Sequence, residues 1–176
     1  MLQMDILYIY NKEKFMEILD RTARSCCILG HREISESEEL RMRLFETLTR
    51  LITDNGVDTF LFGSKSRFNS LCYGLVTELK EIYPHIQRIY VRGEFPVIDE
   101  GYHRYLLERY EDTFYPQEIL GAGRSVYIER NCVMINNSQF CLFYCLDGYT
   151  PEGRKSGTKL ALEYAKKQNK TIYCFP

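Results

Sequence analysis

A chain of 176 residues, 45% hydrophobic and 27% charged, is long enough for one packed core and short for two. Its 23 basic and 24 acidic side chains leave a formal charge of -1, which gives no global field for a long polyanion or an anionic membrane, so any anion site must be local. The seven cysteines are odd in number, include no C-x-x-C pair and sit mostly in apolar runs, which predicts reduced thiols in a cytoplasmic setting rather than a disulfide framework.

Taken in chain order, residues 1–24 read as an N-terminal extension packed on the rest, with DILYIY as an edge strand and KFMEILDRTA as a helix. They lack a basic n-region and a long apolar run, and no segment reaches the roughly 20 apolar residues that span a bilayer, so no membrane partner is expected. SCCILG (25–30) is an apolar strand ending in glycine. Residues 36–54 follow as a helix with Leu40, Leu44, Leu48, Leu51 and Ile52 on one face; Ser35 and Glu38 form its capping box and Asn55-Gly56 stops it. TFLFG (59–63) is the next strand. Phe68, Leu71, Cys72, Leu75, Val76, Leu79 and Ile82 then mark one face of a helix that Pro84 ends. RIYVRG (88–93) is a strand, and Tyr102, Tyr105, Leu106 and Tyr110 predict a helix over 99–110. The stretch 111–124 is irregular, its Gly121-Ala122-Gly123 suggesting a mobile loop. The segment 127–140 is helical in pattern, with Ile128, Cys132 and Ile135 read as its core face and Tyr127, Arg130, Asn131 and Met134 as the other. FCLFYCL (140–146), a helix over 157–168 carrying Leu160, Ala161, Tyr164 and Ala165, and TIYCF (171–175) complete the pattern.

Alternating strands and helices predict an α/β fold: a Rossmann-like three-layer sandwich around a mainly parallel sheet of about five strands, order 3-2-1-4-5, as one domain over 1–176. The strands are nearly all apolar, so both faces of each should be covered.

Ligands of open α/β sheets bind beyond the carboxyl ends of the strands where the strand order reverses. Those ends read Gly30-His31-Arg32, Gly63-Ser64-Lys65, Arg92-Gly93-Glu94 and Asp147-Gly148, and the expected order sets Gly30, His31 and Arg32 opposite Asp147. Gly63-Ser64 and Ser156-Gly157-Thr158 stand at helix starts, where backbone N–H groups and the helix dipole attract an anion. Arg130 and Asn131 offer a planar guanidinium and an amide suited to phosphate or carboxylate, although an Arg130–Glu129 surface ion pair explains the arginine equally well. His85 and His103 read as solvated or structural. A Walker loop, a G-x-G-x-x-G turn following a strand and a G-x-S-x-G elbow are missing, no spacing suits a metal, and no cofactor is expected.

GHR after the first strand, FGS after the second, ERNxxMI before the fourth and SGT at the last helix, in that order over residues 25–176, resemble the SLOG superfamily and its YpsA-like branch. That branch is related to the DNA-processing protein A domain and to the LOG phosphoribohydrolases. The resemblance implies a Rossmann-like domain, commonly a homodimer or higher homo-oligomer, that holds a nucleotide or nucleotide-derived small molecule with phosphate at helix N-termini. LOG hydrolases carry R-K-x-x-M and P-G-G-x-G-T-x-x-E; here Arg130, Asn131 and Met134 match the first, and Gly157-Thr158 match the G-T of the second. The Lys is replaced by Asn131, the P-G-G by Gly153-Arg154-Lys155, and the acid is missing, Glu163 lying five residues beyond Thr158.

The resulting expectation is a sensor, carrier or sequestering protein that binds its ligand through Gly30, His31, Arg32, Gly63, Ser64, Arg130, Asn131, Asp147, Ser156, Gly157 and Thr158. Two alternatives stand beside it: an N-glycosidase on a nucleoside monophosphate or ADP-ribose-like compound, with Arg130 on the phosphate and Asp147 on the sugar, and a scaffold with a vestigial pocket. Arg24, Arg32, Lys65, Arg67, Arg154 and Lys155 could gather as a basic rim, but the near-zero charge argues against nucleic acid as a partner.

Overall fold

The apolar runs become neighbouring strands of one parallel sheet in the computed structural model, which describes residues 21–145 and 156–176. In chain order the elements are β1 (Ser25–Gly30), α1 (Glu38–Thr53), β2 (Thr59–Phe62), α2 (Arg67–Ile82), β3 (Gln87–Val91), α3 (Glu100–Leu107), β4 (Asp112–Phe114), α4 (Val126–Asn136), β5 (Phe140–Tyr144), α5 (Gly157–Lys167) and β6 (Thr171–Phe175). The proposed N-terminal strand and most of the helix after it lie outside the described residues.

The six strands are ordered β4-β3-β2-β1-β5-β6. β1 sits in the middle, parallel to β2 on one side (Cys27 opposite Leu61) and to β5 on the other (Cys27 opposite Cys141). The five expected strands keep their expected relative order, and the chain runs outward from β1 to β4 before returning to β5. β1 is therefore the switch point of the Rossmann-like fold. The sixth strand, β4, lies in the stretch read as irregular and pairs with β3 through Tyr90 opposite Thr113. Two 3-10 turns, Gln117–Ile119 and Gly123–Ser125, carry the chain from it to α4.

Alternation along the strands divides the core in two. Cys26, Ile28, Phe60, Phe62, Leu142 and Tyr144 pack with Leu44, Leu48, Leu75 and Leu79 of α1 and α2. Cys27, Leu29, Leu61, Ile89, Val91 and Phe143 pack with Met134, Ile135, Ala161 and Ala165 of α4 and α5. Leu44, Leu48 and Leu51 are wholly buried, each worth about 1.5–3 kcal/mol of removed apolar surface. Coverage of both faces holds for β1, β2 and β5 but not for β6, whose edge position leaves Thr171 and Cys174 exposed.

The cap of α1 differs from the expected box. Ser37, not Ser35, accepts from the Leu40 N–H at 3.1 Å, because the Ser35 N–H donates to the buried Tyr144 hydroxyl at 3.0 Å and keeps the chain extended for two more residues.

Candidate functional site

Three glycines set the shape of the carboxyl edge of the sheet by what stands where a side chain would be. At Gly30 a Cβ would lie 2.6 Å from Phe68 Cγ of α2, and at Gly63 it would lie 2.6 Å from Met134 Sδ and 2.9 Å from Arg130 Nε. Beside Gly93 the Arg130 Nη1 would be 3.5 Å away and the Tyr127 ring 3.3 Å. The strands β2 and β3 thus end at glycines because the side chains of α4 lie directly against their ends.

This corrects the expected orientation of α4 in part. Arg130 and Met134, read as its outer face, are buried at 5% and 0% exposure and Ile128, read as core, is 39% exposed, while Ile135 is buried and Tyr127 exposed as expected. A surface ion pair with Glu129 is excluded by that burial. The Arg130 guanidinium donates to Asn131 Oδ1 from Nη2 at 2.9 Å and from Nε at 3.3 Å and lies 5.7 Å over the Tyr127 ring; among the described residues it has no carboxylate partner. Burial pulls its pKa down, opposed by Tyr90, Tyr127 and Glu94, yet arginine stays charged at neutral pH. A buried, unpaired cation costs several kcal/mol, a cost that an incoming anion would offset.

Gly30, His31, Arg32, Gly63, Ser64, Arg130, Asn131, Ser156, Gly157 and Thr158 all line one cavity of about 720 Å³. Asp147, the expected partner across the crevice, lies outside the described residues. The loops after β1 and β2 are tied together, since the Arg67 N–H donates to the Arg32 carbonyl at 2.9 Å. Ser64 Oγ donates to Ser66 Oγ at 3.0 Å, and Ser66 caps α2 by accepting from the Asn69 N–H at 3.2 Å. Ser156 caps α5 in the same way through Lys159 N at 3.1 Å.

His31 lines the cavity as expected but is only 6% exposed. Its ring is edge-on to Tyr144 at 6.4 Å, and burial lowers its pKa. The cations at the mouth are Arg32, Lys65 and Arg67.

The cavity also contains Glu94, one of the strand-end carboxylates legible in the sequence, which accepts from the Tyr127 hydroxyl, and three residues that were not singled out: Tyr90, Arg92 and Tyr102. A signal for two of them was present, because Tyr90 and Arg92 alternate along β3 and its extension, where a strand buried on both faces should carry apolar residues. Among the described residues no group of three or more His, Cys, Asp or Glu side chains could hold a metal ion, and no helix is long and apolar enough to cross a membrane.

No family model matches the chain, and no curated protein does. Among solved structures the chain is similar to DNA processing protein A from Helicobacter pylori, described for its unique single-stranded DNA binding mode, at 17% identity and a TM-score of 0.56, covering 91% of this chain and 68% of that one. Likeness at that identity establishes the Rossmann-like fold. It also corrects the expectation that nucleic acid is disfavoured as a partner: the structural neighbour binds single-stranded DNA. The inference from net charge fails because a total of -1 does not describe the local balance at the cavity, which Arg32, Lys65, Arg67, Arg92 and Arg130 line with Glu33 and Glu94.

Proposed function

We propose that the cavity at the carboxyl edge of the sheet binds a phosphate-bearing nucleotide, as the SLOG-like motifs imply, with Arg130 reading the phosphate and Gly63, Ser64, Gly157 and Thr158 around it. The observation that carries this reading is the burial of the Arg130 guanidinium without a carboxylate partner among the described residues, against two strand-end glycines. A structural arginine would have a permanent partner, whereas one that binds an exchangeable anion must leave that place open. The helix starts behind Ser66 and Ser156 add N–H groups and the positive ends of two dipoles.

A second reading, favoured by the single-stranded DNA binding of the structural neighbour and by the cations at the mouth, is that the nucleotide belongs to a single strand. In both readings the phosphate meets Arg130. Thermal unfolding of the protein with AMP and with adenosine tests this directly: AMP at 100 times its Kd stabilises the fold by about 2.7 kcal/mol. Arg130→Ala should weaken AMP about 10- to 100-fold, the loss expected for one charge-assisted hydrogen-bond set, and leave adenosine within about twofold. Equal losses for nucleotide and nucleoside would show that Arg130 does not read phosphate.

A further inference from the structure

The described lining of the cavity carries more positive charge than one phosphate can absorb. Among the described residues Arg32, Lys65, Arg67, Arg92 and Arg130 share it with Glu33 and Glu94, five cations against two carboxylates and thus an excess of three. Among the described residues none of the five is in an ion pair. A terminal phosphate carries about -1.5 to -2 at pH 7, so a monophosphate leaves cationic charge unmatched.

Arg92 is the informative member. Its backbone N–H donates to the Phe114 carbonyl at 2.8 Å and continues the β3–β4 ladder by one residue. Its Nη1 donates to the Phe95 carbonyl at 2.8 Å, and its guanidinium lies 6.0 Å over the Tyr115 ring. The Nε is buried and has no hydrogen-bond partner. The Phe95 bond closes a turn in which Phe95 takes a φ of 52°, a left-handed conformation that residues other than glycine seldom hold. This cation is therefore held in place by a carbonyl and a ring, with its charge unmatched and one N–H unused.

Its direction is equally specific. Gly93 faces α4, since a Cβ there would meet Tyr127 at 3.3 Å, and the two-residue period of an extended chain sends Arg92 to the opposite side. Arg92 and Arg130 consequently flank the end of β3.

We infer that Arg92 is a second anion-reading position and that the ligand is a nucleotide framework bearing two phosphate groups, one for each side of the β3 end; this rests on the phosphate reading of Arg130. Two phosphates so disposed occur in a nucleoside 3′,5′-bisphosphate and in successive units of a phosphodiester strand. Calorimetric titration of the full chain with AMP, adenosine 3′,5′-bisphosphate and 5′-phosphorylated diadenylate tests it. At least one of the two-phosphate ligands should bind about tenfold or more tighter than AMP, as expected for an added charge-assisted contact. A lead for the bisphosphate alone assigns a free nucleotide, and a lead for the dinucleotide assigns a strand. Arg92→Gln should abolish that lead while AMP stays within about twofold, and Arg92→Lys, which keeps the charge without the fork, should keep part of it. AMP binding with no gain from a second phosphate, or Arg92→Gln weakening all three ligands alike, overturns this inference alone. If no phosphate-bearing ligand binds, the reading of Arg130 falls with it.

Discussion

Two arginines deep in this sheet have opposite surroundings. Arg88, at the start of β3, donates from Nη2 to Glu111 Oε1 at 2.7 Å and from Nε to Oε2 at 3.2 Å. Its Nη1 bonds Thr77 Oγ1 at 2.7 Å, and the guanidinium lies 5.2 Å over Tyr73. Its pKa is raised, chiefly by the Glu111 hydrogen bond. Arg130, at the other end of the same strands, has one amide oxygen and a lowered pKa caused by burial. The amino-end arginine is saturated and holds β3 to the segment entering β4, while the carboxyl-end one is left with capacity for an anion. Fold and site are thus served by the same side chain in two states of satisfaction.

Breaking the saturated pair has the largest expected effect. Glu111→Ala leaves Arg88 partly buried without its anion and should destabilise the protein by about 1.5–3 kcal/mol in urea unfolding, the range for hydrogen bonds to charged groups; a loss under about 0.5 kcal/mol, the surface range, would erase the contrast. Acid should produce a smaller version of the same loss. Burial pushes the Glu111 carboxyl up, but hydrogen bonds and charge from Arg88, with Lys80, outweigh it and hold the pKa below the ordinary value. The folded pKa is the lower one, so this stabilisation is present above the unfolded value of about 4.3 and is lost as pH falls through the folded value. The pH dependence of unfolding between about pH 5 and 3 should therefore be shallower in Glu111→Ala than in the parent chain. Arg130→Met should change stability least, staying within about 0.5 kcal/mol or gaining, because an apolar side chain replaces an unpaired buried charge. A loss of several kcal/mol there would mean that Arg130 holds the fold as Arg88 does.

How far each feature could be read from sequence follows from the same physics. Uninterrupted runs such as CCIL and FLF announce strands because few other structures bury consecutive apolar residues, and their placement around β1 followed from the strand order of a Rossmann-like sheet. β4 was missed because Asp112, Thr113 and Phe114 include a single buried residue, Thr113, and its strand character comes from pairing to β3. The glycine ends of β1 and β2 pointed to the site, but the orientation of α4 was misread in part. A rule that sends charge outward fails for Arg130, which is buried with Met134, while Ile128 takes the solvent side. The place of His31 at the cavity was legible but its burial was not, since Tyr144 approaches from β5, 113 residues away by the difference of the two positions. Arg92 was legible only as part of a strand end, and its place in the cavity lining emerges from the fold.

The central position of β1 has a consequence for how the protein is made. Its partner on one side, β5, pairs Cys26 with Phe140, so the middle of the sheet cannot close until most of the chain has left the ribosome. Such long loop closures slow folding relative to local contacts. Until then β1 has a neighbour on one edge only, although the strand ends against which Arg130 lies have already been made. The wall built from Ser156, Gly157 and Thr158 is consequently the last part of the cavity to form, and a fragment ending before β5 should carry the motifs after β1 and β2 without that wall.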